Sequence, residues 1–175
     1  MEALKIVAFA TAAAICYGIL HDQVTAHVCV EYFTIAHPPV FPTESPFLLA
    51  IGWGIIATWW VGLPLGVLLA IAARAGSGRK LGLSDLRRPI LRIMAMSGIL
   101  ALLSGSLGAA LVATDALPVP GGWAAAIPAD KHVAFSFDAW AHAASYGAGA
   151  FLGTFLVARV AWTRLRPSRG PAAVD

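Results

Sequence analysis

Charge is what this sequence has least of. Only 12 % of its 175 residues are Asp, Glu, Lys or Arg, about half the share of an ordinary soluble domain. Apolar residues make up 59 %, and mean hydropathy is +0.77. That balance excludes a soluble globular domain, a disordered chain and a collagen-like repeat. Cysteine is scarce too. Its two residues, Cys16 and Cys29, make no disulfide scaffold. On one helix they would stand ~20 Å apart, too far to bridge. The net charge of +3, with Lys and Arg confined to a few places, leaves no footprint for nucleic acid. The G-x-S-x-G, P-loop, H-E-x-x-H and C-x-x-C-H strings are also missing, so serine-hydrolase, nucleotide, zincin and c-type haem signatures are absent. What remains is an integral membrane protein, with the lipid bilayer accommodating its apolar residues.

A membrane-spanning helix needs about 20 mostly apolar residues. Four stretches qualify: about 4–25, with an outer end left open beyond residue 20, then about 46–73, 93–114 and 133–158. These runs are too long and too apolar for the strands of a barrel. The expected fold is therefore all-α: a single polytopic membrane domain over residues 1–166, four transmembrane helices in a bundle, and a flexible tail over 167–175. A signal peptide is the competing reading of the first stretch. It is disfavoured because Ile15 precedes Cys16, where a lipoprotein site wants a small residue, and because no A-x-A site leads into a polar region.

Basic residues orient the bundle. The connection between spans two and three holds Arg74, Arg79, Lys80, Arg87, Arg88 and Arg92, and the C-terminal end holds Arg159, Arg164, Arg166 and Arg169. Residues 21–45 have no Lys or Arg, and the third connection has only Lys131. Both termini and the middle connection are therefore expected in the cytoplasm. The other two face outward, across a bacterial inner membrane.

Punctuation marks the boundaries. Ser45-Pro46 reads as an N-cap followed by Pro at the first helical position. His37-Pro38-Pro39 and Pro42 make a stiff external turn. Ser84-Asp85 reads as the cap of a short basic segment, 86–92, lying at the inner interface before span three. Pro64 predicts a kink in span two. Ser97, Ser104, Gly105 and Gly108, with the G-x-x-x-G of Gly149 and Gly153, mark close helix contacts, either within one bundle or between two copies.

The polar residues are unevenly placed. All five histidines, His21, His27, His37, His132 and His142, fall toward the outer side, as do Asp22, Glu31, Glu44, Asp115, Asp130 and Asp138. Counting from Lys5 and Arg159 puts His21 and His142 at similar depth, ~25 Å from the inner boundary. Asp138 and His142 share a helix face at i, i+4. Neutral imidazole with carboxylate suits a transition metal such as Zn, Fe or Cu, and a catalytic zinc needs three protein ligands and an open position. The expected centre is His21, Asp22, Asp138 and His142, with His27, Glu31, His37 and His132 as secondary candidates. A b-type haem between His21 and His142 is the lesser alternative.

Such a site has redox or hydrolytic potential but names no substrate and no enzyme class. Two other readings compete. In one, the histidines are satisfied polar clamps in a non-catalytic subunit, packing against a second copy or a larger membrane complex. In the other, the chain carries ions or protons, although the inner halves of spans one and four offer few polar residues for a path.

The run YGILHDQVTAHVCVEYFTIAHPPVF, Tyr17 to Phe41, resembles a segment of a family of small bacterial integral membrane proteins that is uncharacterised. The resemblance extends into the Trp-rich second span, about a third of the chain. It implies a membrane location and no activity.

Overall fold

A computed structural model describes residues 1–76 and 78–165. The tail expected over 167–175 lies outside the described residues. Among the described residues there are five helices and no strand: α1 Glu2–Val28, α2 Val30–Thr34, α3 Pro46–Arg74, α4 Leu83–Ala113 and α5 His132–Leu165, with 3-10 turns at Pro120–Ala125 and Ala129–Lys131. The all-α four-helix architecture expected from hydropathy is what forms. α1, α3, α4 and α5 are each long and apolar enough to cross a membrane, and their large side chains, such as Leu103, Phe151 and Phe155, point outward. In lipid those faces need no further cover.

The bundle is two helical hairpins set side by side, since α1 packs chiefly on α3 and α4 on α5. Small residues make the first pairing close. A Cβ on Gly54 would stand 2.5 Å from the Ile19 amide nitrogen, and one on Gly18 would stand 2.6 Å from the Gly54 carbonyl. Further along, Gly62 rests on Ala14 and Gly66 on Ala10. The seam of Ala10, Ala14 and Gly18 against Gly54, Gly62 and Gly66 follows the four-residue repeat that lets backbones touch. Gly105 and Gly108 do the same for the second pairing, against Phe137 and Trp140, where Ser104 Oγ donates to the Trp140 carbonyl at 3.1 Å.

Several boundaries differ from the sequence expectation. Residues 86–92 are not a separate interfacial segment. They are the first turns of α4, which starts at an N-cap Gly82 whose amide donates to the Asp85 carboxylate at 2.9 Å. Pro89 lies inside the second turn of α4, where it donates no bond to the Asp85 carbonyl. Pro64 lies inside α3, which is one helix from Pro46 to Arg74. Pro46 does open α3, but the Ser45 side chain makes no cap bond. α1 passes His21 and ends at Cys29, whose backbone turns extended (φ −147°, ψ 93°) before the single turn of α2.

The two ends of the bundle differ in character. At the basic end, Ile6, Leu69, Leu86 and Val160 form a closed core. Arg164 there donates to the carbonyls of Ala72, Gly78 and Arg79 at 2.7, 3.3 and 3.0 Å. At the histidine end, α2 and the Pro-rich turn fold over the gap between α1, α3 and α5.

Candidate metal centre

His21 and Asp22 come from α1 and His142 from α5, three side chains whose ligand atoms all lie within 4.8 Å of one another. Asp22 and His142 are buried, at 4 % and 8 % exposure. His142 is held at both nitrogens. Its Nδ1 lies 2.8 Å from the Asp138 carbonyl, which can only accept, so Nδ1 carries the proton. Its Nε2 faces Asp22 Oδ1 at 3.3 Å. In a neutral imidazole that nitrogen presents a lone pair to a carboxylate oxygen. Two acceptors at this distance require a cation or a second proton between them. The spacing matches that of two ligands of one tetrahedral ion at ~2.0–2.2 Å. A ring N–H donated to a backbone carbonyl is also the usual way in which a metal-binding histidine is oriented.

His21 completes the trio. Its ring meets His142 edge to face at 4.6 Å between centroids, and its Nε2 is buried without a hydrogen-bond partner. Aromatic packing fixes the imidazoles: Tyr32 stacks on His142 at 4.5 Å, Phe33 approaches the same ring at 5.7 Å, and Tyr17 stacks on His21 at 5.9 Å. Helical spacing puts Tyr32 on the face of Tyr17 and His21, but no sequence pattern pointed to Phe33. Both follow the extended backbone at Cys29, which starts the short turn of α2 that carries them onto His142.

The remaining expected residues divide. Asp138 contributes its backbone carbonyl to His142, while its carboxylate is fully buried with neither oxygen hydrogen-bonded. His37 borders the same gap as Asp22 and His142. Its Nδ1 lies 2.7 Å from the Tyr32 carbonyl, and its ring packs on Trp53 at 4.8 Å. Burial holds its pKa below the ordinary value, as does His142, against the Tyr32 carbonyl and Asp22, which raise it. His27, Glu31 and His132 stand apart from the trio. His27 Nδ1 turns back to the Gln23 carbonyl at 2.7 Å. His132 Nε2 lies 3.1 and 3.0 Å from the carbonyls of Ala124 and Ile127 and pins the 3-10 turn. Glu31 pairs with Lys131 at 3.4 Å. Burial opposes ionisation of Glu31, but its own backbone amide, the Cys29 thiol and Lys131 hold its carboxyl below the usual range. Burial also pushes the Cys29 thiol up to about 12, which leaves it an inert neutral donor to Glu31.

No family model, curated protein or solved structure matches this chain. Function must therefore be argued from the site itself.

Proposed function

We propose that this is an integral membrane protein that binds one transition-metal ion through His21, Asp22 and His142. The observation that carries the reading is the His142–Asp22 contact, where the ring nitrogen turned away from the Asp138 carbonyl faces a carboxylate oxygen at 3.3 Å. Two imidazoles and one carboxylate form a three-ligand set with room for a fourth position. That set suits a catalytic zinc or a non-haem iron. Such an ion would lower the pKa of a bound water or exchange an electron. The two imidazoles touch one another, a geometry that favours a bare ion over a haem plane between them. The distribution of Lys and Arg supports a bacterial inner-membrane orientation with the basic end in the cytoplasm and the centre on the outer side.

The test is metal content per chain on detergent-purified protein, by inductively coupled plasma mass spectrometry with an absorbance spectrum. About one equivalent of Zn, Fe or Cu, lost in His142→Ala, is expected. Metal-free protein after incubation with each ion would overturn the reading and leave a proton in the His142–Asp22 contact, making it a structural ion pair.

A further inference from the structure

Behind the histidines lies a cavity of about 430 Å³, within the size range of small-molecule sites. It follows the middle of the bundle from His21 and Asp22 down to Ala10 on α1, a length of ~18 Å by helix rise. Its walls are almost wholly apolar side chains from α1, α3, α4 and α5. No Lys or Arg lines it, so an anionic phosphate headgroup would find no counter-charge.

Apart from Thr154, its polar groups gather toward the histidine end, and several have bonding capacity to spare. Ser97 Oγ is buried, at 1 % residue exposure, and has no partner. Tyr17 and Ser145 share one hydrogen bond at 2.8 Å. Since only one of the two hydroxyls donates in that bond, the other keeps a free O–H. Rings surround the same region, with Tyr17, His21, Trp60 and Tyr146 all in the lining. Trp60 and Leu68 on α3 and Tyr146 on α5 are about half exposed on the outer face of the bundle, which puts the mouth between these helices, toward lipid.

A flat ring with oxygen on it, a neutral charge and an apolar tail satisfies every one of these features. We propose that the cavity binds a membrane-soluble quinone or quinol. The ring lies against Tyr17 and His21, a ring oxygen bonds Ser97 or the Tyr17–Ser145 pair, and the tail leaves between α3 and α5. The cavity carries this inference whether or not a metal is bound, although both use the histidine end.

Two glycines on α5 provide the test. A Cβ on Gly149 or on Gly147 would meet nothing within 4 Å, but only Gly149 lines the cavity. Gly149→Leu therefore projects a side chain into the site from a position with space for its Cβ, and Gly147→Leu is its matched control. The full-length protein in detergent is titrated with decylubiquinone, and tryptophan quenching is read. Saturable quenching is expected in the wild type and in Gly147→Leu, with at least tenfold weaker binding in Gly149→Leu. Equal quenching in all three proteins, no saturation, or equal competition by decanol would overturn the proposal. Metal content measured on the same samples separates the two readings: Gly149→Leu is expected to keep its metal, so loss of quinone binding and lack of metal are distinct failures.

Discussion

His142 on α5 and Asp22 on α1 meet at 3.3 Å, with the far nitrogen of His142 fixed on the Asp138 carbonyl. One side chain of this pair comes from each of the two hairpins, so the contact is both a joint of the bundle and the heart of its candidate centre.

Removing either partner should empty the centre. Asp22→Asn and His142→Ala are each expected to weaken metal binding at least a hundredfold, read by competition with a chromophoric chelator. Asp138→Asn keeps the backbone carbonyl that orients His142. It is expected to stay within the ~10-fold to 100-fold effect of a supporting residue. Complete loss in Asp138→Asn would instead make its carboxylate a ligand.

The glycine seam should be intolerant of bulk. Gly54→Leu drives a side chain into the Ile19 backbone, and overpacking of this kind costs about 1–3 kcal/mol. A lower midpoint of thermal unfolding in detergent is expected. Gly147→Leu meets open space and replaces glycine with a better helix former, so its midpoint should hold or rise.

Acid should loosen the Pro-rich turn. His37 has its pKa depressed in the folded protein, chiefly by burial, so folding favours the neutral ring. Its contribution is complete above the unfolded value of about 6.5 and falls away as pH drops from there toward the depressed folded value. Because the ring packs on Trp53, tryptophan emission should change over that window. His37→Phe should abolish the change. Persistence of the same transition in His37→Phe would assign it to another group.

Arg164 should guard the basic connection. It ties α5 to three carbonyls of residues 72–79. Arg164→Ala is expected to speed tryptic cleavage after Arg79 and Lys80. In membrane vesicles the cut should occur only when the cytoplasmic face is exposed. Cleavage from the opposite face would reverse the proposed orientation.

The spans were legible because lipid imposes a simple requirement on length and apolarity, and Pro46 announced its own helix start. The pairing of His21 with His142 was legible as equal depth, since helix rise is regular. Asp22 was legible for the same reason. The cover of the site was legible only in the helical phase of Tyr32. Tyr32 and Phe33 follow the extended backbone at Cys29, and no proline or glycine there marks the break. The separation of His27 from the trio follows partly from helical phase, since six residues of α-helix turn its side chain ~120° away from that of His21. Asp138 shows the limit most clearly. Its i, i+4 spacing to His142 is real, but the bond uses its backbone, and spacing alone cannot tell a carbonyl from a carboxylate.

The division into two hairpins has a consequence for synthesis. α1 and α3 close on each other through contacts that need nothing from the rest of the chain. His142 arrives only with α5. A nascent chain halted after α4 would thus be a well-paired but chemically idle hairpin carrying one extra helix. Whatever the trio does is withheld until α5 has joined the bundle.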